Sequence, residues 1–232
     1  LPRQQMMKDF VTHARVISFT LYFIFNFFRD ANILILLYLF MGLILLNRDE
    51  KYVLGVWEIK ESLSDLNNRF KDEYFKKLKN RKRKIEYVCT RLLLNQIDSN
   101  LKISYNKHGA PILNKKKNIS ISHSNNLAAI IISNNKVGID VEKISDKPLR
   151  IAEKFISEND NILMNVNEAC LAWSTKEAIY KLHEIGGLDF KNDIIIKKIK
   201  KEKQMITAQF KNEILFLHYQ KINNHFLVYV CN

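Results

Sequence analysis

The chain has 232 residues, 47% of them hydrophobic and 26% charged, which indicates a globular protein with a buried core and argues against a disordered one. Lys and Arg number 37 against 24 Asp and Glu, and the formal net charge of +13 favours an anionic partner such as nucleic acid, acidic lipid, a polyphosphate ligand or an acidic protein. Three widely spaced cysteines without a CxxC pair argue against a disulfide framework or a structural zinc site, and they predict a reducing, cytoplasmic location.

Residues 16–46 are strongly apolar, but Arg29, Asp30 and Asn32 divide them into halves shorter than the roughly 20 residues of a membrane span. A small-residue cleavage site of the signal-peptide kind is missing. We therefore expect residues 1–40 to be an artefactual or poorly ordered extension, with a membrane anchor or hairpin as the alternative.

From Met41 onward the periodicity predicts an α+β fold. The first predicted elements are strands at 42–46 and 52–59 and helices at 61–78 and 85–97. Seven Lys or Arg residues crowd into 76–84, which predicts a junction between the two helices. Asn, Gly and Pro close together in 106–111 predict a turn.

The second part of the chain is predicted to hold short strands, then helices, then strands again. The predicted strands lie at 119–123, 127–133 and 136–141, the helices at 149–156 and 166–183, and three or four antiparallel strands at 194–230. Asn134 and Asn135 predict a hairpin turn, and Gly186 with Gly187 predicts the end of the long helix.

Two carboxylates are predicted to share one face of the strand around residue 140. Asp140 and Glu142 are two residues apart, so both point to one side, while Ile139 and Val141 point into the core. A hard cation such as Mg²⁺ would relieve the repulsion between them. A strand end with two solvated acids is the alternative.

A third carboxylate comes from the long helix. Trp173, Glu177 and Lys181 are four residues apart and share a helix face, and Lys176 is adjacent to Glu177. The alternative is an exposed Glu–Lys pair worth a few tenths of a kcal/mol.

The segment 119–124 alternates apolar and polar side chains. Ser122 and His123 stand at the end of this predicted strand, where a hydroxyl and an imidazole can donate hydrogen bonds to phosphate oxygens. A surface histidine, or a buried one satisfied by its neighbours, is the alternative.

Four motifs, taken together and in this order, resemble those of the Sfp-type 4′-phosphopantetheinyl transferases. They are Gly-Ala-Pro at 109–111, Ile-Ser-His-Ser at 121–124, Gly-Ile-Asp-Val-Glu at 138–142 and Trp-Ser-Thr-Lys-Glu-Ala-Ile-Tyr-Lys at 173–181. The resemblance implies two similar α+β halves with the active site between them. On this basis we expect a first half at 41–135, a second half with the metal site at 136–232, and a monomer.

The resemblance also implies the roles of the acidic and basic residues. Asp140, Glu142 and Glu177 would hold Mg²⁺, with Mn²⁺ as an alternative, on the pyrophosphate of coenzyme A. Glu177 would help to activate the acceptor serine. Lys181 and Lys176 would neutralise charge on the phosphates.

Other residues match positions that contact the nucleotide in the family. These are Ser122 and His123 at the 3′-phosphate, Arg91 at another phosphate, and Gly109 and Pro111 in the turn beneath the adenine. Ala110 departs from the family, which often has Lys there, and Lys107 or a residue of 115–117 could substitute.

The implied activity is that of a holo-[acyl-carrier-protein] synthase type enzyme. It would transfer 4′-phosphopantetheine from coenzyme A to a serine of an apo acyl or peptidyl carrier protein and release 3′,5′-ADP. The basic run 76–84 would attract an acidic carrier, and neither nucleic acid nor a membrane is an expected partner. The alternatives are a basic nucleic-acid-binding module and a non-catalytic family member that binds carrier protein or coenzyme A.

Overall fold

The computed structural model describes residues 42–66 and 72–232. The predicted extension at 1–40, and part of the predicted helix at 61–78, lie outside the described residues. No helix in the described part of the chain is long and apolar enough to cross a membrane. Leu43–Asn232 form one compact unit, which holds all the motifs singled out above.

Strands and helices alternate in blocks along this unit. The strands are β1 (Leu43–Arg48), β2 (Tyr52–Glu58), β3 (Ile103–Tyr105), β4 (Pro111–Leu113), β5 (Asn118–Ser124), β6 (Leu127–Ser133), β7 (Val137–Lys143), β8 (Ile194–Lys200), β9 (Met205–Phe210), β10 (Glu213–Ile222) and β11 (His225–Cys231). The helices are α1 (Leu63–Leu66), α2 (Glu73–Lys77), α3 (Arg81–Ile97), α4 (Lys147–Arg150) and α5 (Val166–His183), with 3₁₀ turns at Ala152–Lys154 and Lys201–Lys203. The α+β class predicted from the sequence is confirmed.

The first sheet has the antiparallel order β1-β2-β6-β5, and helix α3 packs on its β2 and β6 strands. Asn80 caps the start of α3 because its side chain accepts the N–H of Arg83. The helix then buries an apolar stripe that includes Val88, Cys89 and Leu93. The small separate ribbon of β3 and β4 carries the turn at 106–110.

The second sheet has the antiparallel order β7-β11-β10-β9-β8, and helix α5 covers one face of it. Asn165 caps the start of α5 by accepting the N–H of Glu168, and Glu184 ends the helix in the left-handed conformation with φ 64°. Small buried residues such as Ala172 and Ala178 let the helix lie close to the strands.

Strands β5 and β7 belong to different sheets but run beside each other, and serine hydroxyls connect them. Ser120, Ser122 and Ser124 lie on one face of β5, as the alternation predicted. Their Oγ atoms accept β7 backbone N–H groups at 3.1, 3.1 and 3.0 Å, from Ile139, Val141 and Lys143 respectively. The three bonds hold the two strands in a fixed register, which places β5 against the acidic strand β7.

Two predictions about local structure are wrong. The expected hairpin at Asn134 and Asn135 does not form, because β6 already has β2 and β5 on its two sides and β7 pairs instead with β11. The helix expected at 149–156 is replaced by the short helix α4 and a 3₁₀ turn. The division into halves at 135 and 136, and their duplication, stay predictions.

Candidate functional site

The site is built where helix α5 meets strand β7, and Gly138 permits the contact. A Cβ at this position would overlap the carbonyl oxygen of Ala178 and stand 3.0 Å from the backbone nitrogen of Leu182. Alternation along β7 places Asp140 and Glu142 on the same face as Gly138, toward α5. The glycine therefore brings the two strand carboxylates up to a helix that carries Glu177.

A cleft of about 450 Å³ opens at this contact. It is lined by six of the predicted site residues: Ser122, His123, Asp140, Glu142, Glu177 and Lys181. Two larger cavities, of about 580 and 660 Å³, contain none of these six residues. Most of the site residues predicted from the motifs therefore share this cleft.

Lys181, Asp140 and Ser122 form a closed hydrogen-bonded triangle inside the cleft. Lys181 Nζ donates to Asp140 Oδ1 at 2.8 Å and to Ser122 Oγ at 3.0 Å. The Ser122 hydroxyl donates to the same Asp140 Oδ1 at 2.8 Å. Asp140 Oδ2 is buried and has no hydrogen-bond partner among the described residues.

The pKa values of Glu142 and Glu177 depend on burial and on the charge of Asp140. Burial and the negative charge of Asp140 raise the pKa of Glu142, with Glu177 adding to the effect and Lys147 opposing it. Burial and Asp140 likewise raise the pKa of Glu177, while Lys181 opposes the shift. Burial and the neighbouring carboxylate therefore disfavour the ionised forms of Glu142 and Glu177.

A divalent cation fits this arrangement. Asp140 Oδ2 is an acceptor with no donor among residues 42–66 and 72–232, and carboxylate oxygens are the ligands that Mg²⁺ and Mn²⁺ prefer. In the described part of the chain no three His, Cys, Asp or Glu side chains are already close enough to hold one ion. The carboxylates of Glu142 and Glu177 would therefore have to turn toward a cation held at Asp140.

His123 is held from the side of helix α3. Thr90 Oγ1 donates to the backbone oxygen of Glu86 at 2.7 Å, so the contact of 2.7 Å between Thr90 Oγ1 and His123 Nε2 has the ring as donor. Burial lowers the pKa of His123 to about 3, with Lys181, Arg83 and Lys82 adding positive charge around it. An anion beside the ring would oppose this shift and favour a proton on Nδ1.

A second cleft, of about 350 Å³, adjoins the first, and both are lined by Ile121 and Lys181. Gly109, Ala110 and Pro111 form part of its wall, and Gly109 adopts φ 81° in the turn after Asn106. The turn at Gly109 and the carboxylates thus lie in neighbouring clefts, with Lys181 in the wall of each.

Lys176 is not brought to either cleft, and the structure corrects its predicted phosphate contact. Its side chain has no exposed surface, and Nζ donates at 2.8, 2.9 and 2.7 Å to Asp160 Oδ2 and to the backbone oxygens of Phe190 and Ile194. An ammonium group has three protons, so none remains for a phosphate. We assign Lys176 a structural role.

Arg91 also lies outside the lining of the two clefts. Its guanidinium stacks 3.2 Å from the ring centroid of Tyr87 and lies 4.0 Å from Asp72 Oδ2. Its role at a phosphate stays a prediction.

Two basic residues that line the first cleft were not singled out from the sequence: Arg83 and Lys147. Arg83 belongs to the run 76–84, whose seven charges give no sign of which one faces inward. Lys147 begins α4 directly before Pro148, and the sequence placed the corresponding helix two residues later.

Comparison with known proteins finds a match in the part of the chain that holds the three carboxylates. Residues 136–231 match the sequence model of the 4′-phosphopantetheinyl transferase superfamily, which confirms the predicted resemblance there. A similar protein is the 4′-phosphopantetheinyl transferase gsp of Aneurinibacillus migulanus, 33% identical over an alignment of 96 residues that covers 38% of this chain and 40% of the relative. The match thus spans about two fifths of that relative's length. Asp140, Glu142, Glu177 and Lys181 all lie within the matched region.

Proposed function

We propose that this chain, whose residues 136–231 match the sequence model of the 4′-phosphopantetheinyl transferase superfamily, transfers the 4′-phosphopantetheine group of coenzyme A to a serine of an apo acyl or peptidyl carrier protein. The observation that carries the proposal is that four residues of the matched region line one cleft: Asp140, Glu142, Glu177 and Lys181. An Sfp-type enzyme with holo-[acyl-carrier-protein] synthase activity is the form that we favour.

Asp140, Glu142 and Glu177 would hold the metal, which we take to be Mg²⁺ or Mn²⁺. Bound there, the ion would polarise the pyrophosphate of coenzyme A and neutralise part of its charge. Asp140 Oδ2, which has no hydrogen-bond partner in the described part of the chain, supports this assignment, because a buried carboxylate oxygen without a donor is costly unless something else binds it.

Glu177 is our candidate general base. The acceptor hydroxyl oxygen forms a bond to the β-phosphorus, the bond from that phosphorus to the bridging oxygen breaks, and 3′,5′-ADP leaves with the electron pair. The hydroxyl proton goes to the Glu177 carboxylate, directly or through water. Burial and the Asp140 charge raise the pKa of Glu177, which makes its carboxylate a better proton acceptor.

Lys181 would act on the substrate phosphates. It lines both clefts, so one ammonium group can serve an anion that crosses from one to the other. We place the nucleotide in the second cleft, by the turn at Gly109, and its pyrophosphate in the first. Arg83 and Lys82, whose positive charges lie near His123, then provide positive charge for the remaining phosphate.

Intact-mass spectrometry tests the proposal. Apo acyl carrier protein is incubated with the protein, coenzyme A and Mg²⁺, and the expected result is a carrier heavier by one phosphopantetheine. Asp140→Asn and EDTA should each abolish the gain. Asp146→Asn is the matched control, because this exposed carboxylate three residues beyond β7 pairs with Arg150 and is not part of the cleft wall.

Failure to modify several different apo carriers, with folded protein and metal present, would overturn the transferase proposal. Binding of coenzyme A without transfer would then indicate a non-catalytic family member. Tight, salt-dependent binding of random DNA would indicate the nucleic-acid-binding alternative.

A further inference from the structure

Ser122 differs from the other two serines of strand β5 because its hydroxyl also bonds to side chains. All three serines accept a β7 N–H, but Ser122 also donates to Asp140 Oδ1 and accepts from Lys181 Nζ. Among the described residues, neither Ser120 nor Ser124 hydrogen-bonds to Asp140. A hydroxyl has one proton and two lone pairs, so the hydrogen-bonding capacity of Ser122 is fully used.

We propose that Ser122 is a positioning residue for the metal-binding carboxylate of Asp140, in place of the 3′-phosphate contact predicted from the sequence. Its side chain is 4% exposed, which leaves little surface for a phosphate. The inference rests on the proposed function, because the cation concerned is the one that the transferase would bind.

The two oxygens of Asp140 are treated differently by their surroundings. Oδ1 accepts two hydrogen bonds of 2.8 Å, from Ser122 and Lys181. Oδ2 is buried and accepts none from the described residues. Two donors on Oδ1 fix the rotation of the carboxylate, so Oδ2 is kept as the free ligand atom.

Lys181 alone cannot fix the carboxylate throughout the reaction. Its side chain is a flexible four-carbon stem, one quarter exposed, and a pyrophosphate in the cleft would compete for its ammonium group. Ser122 is anchored at 3.1 Å by the backbone N–H of Val141, the residue next to Asp140. The serine therefore keeps its hold on Oδ1 when the lysine turns to the substrate.

Direct Mn²⁺ binding tests this role without any need for turnover. Free Mn²⁺ is measured by electron paramagnetic resonance during titration of the full chain, with metal alone and again with coenzyme A. Ser122→Ala should raise the Kd for Mn²⁺ by ~10-fold or more, the size of effect found for groups that orient a metal ligand. The affinity for coenzyme A in EDTA, measured by calorimetry, should stay within about twofold.

Ser120→Ala and Ser124→Ala are matched controls, since each removes one acceptor of a β7 N–H and leaves Asp140 untouched. Both should bind Mn²⁺ like the wild type, and Ser122→Thr, which keeps the hydroxyl, should restore most of the affinity lost in Ser122→Ala. Urea unfolding checks that every variant is folded.

Three results would overturn the inference. They are an unchanged Kd for Mn²⁺ in folded Ser122→Ala, an equal loss in the two control variants, and a wild type that binds no Mn²⁺. A loss of coenzyme A affinity in EDTA by Ser122→Ala would instead support the predicted contact of Ser122 with the 3′-phosphate. Wild-type protein that binds Mn²⁺ but transfers nothing would refute the proposed function while leaving the Ser122 comparison intact.

Discussion

Gly138 is the residue at which the candidate site depends most directly on backbone packing. A methyl group there meets the Ala178 carbonyl and the Leu182 nitrogen, which are backbone atoms that no side-chain rotation can move. We expect Gly138→Ala to displace α5 and to cost about 1–3 kcal/mol, typical of overpacking. Transfer activity should fall further than stability, because Glu177 and Lys181 move away from Asp140. Urea unfolding and the carrier-modification rate measure the two effects.

Gly55→Ala is the matched control in the first sheet. A Cβ at Gly55 would stand 2.8 Å from Cδ1 of Leu93, the end of a flexible side chain that can adjust. This variant should lose less stability and keep the wild-type transfer rate. Equal losses of rate in the two variants would contradict the special role of the contact between α5 and β7.

A buried ion pair between Lys176 and Asp160 ties helix α5 to the segment before it. Both side chains are fully buried, and Asp160 also accepts the N–H groups of Ser157 and Ile196. Removing one partner of a buried ion pair leaves the other charge uncompensated, so Lys176→Met should cost about 3–5 kcal/mol. The KM for coenzyme A of the folded variant, measured at low temperature, should not change.

Lys181→Met provides the contrast on the same helix, on the face that lines the clefts. Its side chain is partly exposed and lines the clefts, so this variant should raise the KM for coenzyme A. A raised KM in folded Lys176→Met would instead support the phosphate contact that the motif predicted for it.

Elements whose signals are local could be predicted from the sequence. Helix α5 is expected at 166–183 and lies at Val166–His183, because its periodicity and the glycines beyond its end are local signals. The alternation of β7 likewise placed Asp140 and Glu142 on one face correctly. The pairing of β7 could not be predicted, since its partner β11 is separated by the whole of α5 and three strands.

The same limit explains why the predicted phosphate contact of Lys176 is wrong. Sequence spacing places Lys176 next to Glu177 but does not say that Asp160, Phe190 and Ile194 surround its ammonium group. The family resemblance implies a phosphate contact for Ser122, and alternation alone does not predict that its hydroxyl also meets Asp140 on strand β7. Side-chain direction follows from the spacing, whereas hydrogen-bond partners depend on tertiary contacts.

At the scale of the whole molecule, interior histidines tie stability to pH. His225 is 4% exposed at the start of β11, and neither ring nitrogen has a hydrogen-bond partner in the described part of the chain. Burial and the charge of Lys143 lower its pKa, while the nearby backbone of Ser124 opposes the shift. The pKa of His123 is lowered as well, to about 3. Both rings are therefore neutral in the folded protein at neutral pH.

The sign of the effect follows from proton binding. As the pH falls below the unfolded histidine value of about 6.5, the unfolded chain binds protons that the folded protein does not, so the unfolded state gains stability. The free energy of unfolding should be greatest above pH 6.5 and decline below it until the folded-state pKa values are reached. Urea unfolding of the wild type at pH 7.5 and 5.0 should show this decline.

His225→Leu should reduce this decline, because leucine fills much of the buried space and binds no proton. At pH 7.5 the variant gains only from removal of two buried ring nitrogens for which the described residues provide no hydrogen-bond partner, set against any change in packing. At pH 5.0 it also avoids the proton-binding penalty, so its free energy of unfolding relative to the wild type should rise as the pH falls. A difference between variant and wild type that is the same at both pH values would show that His225 does not contribute to the acid sensitivity of the fold.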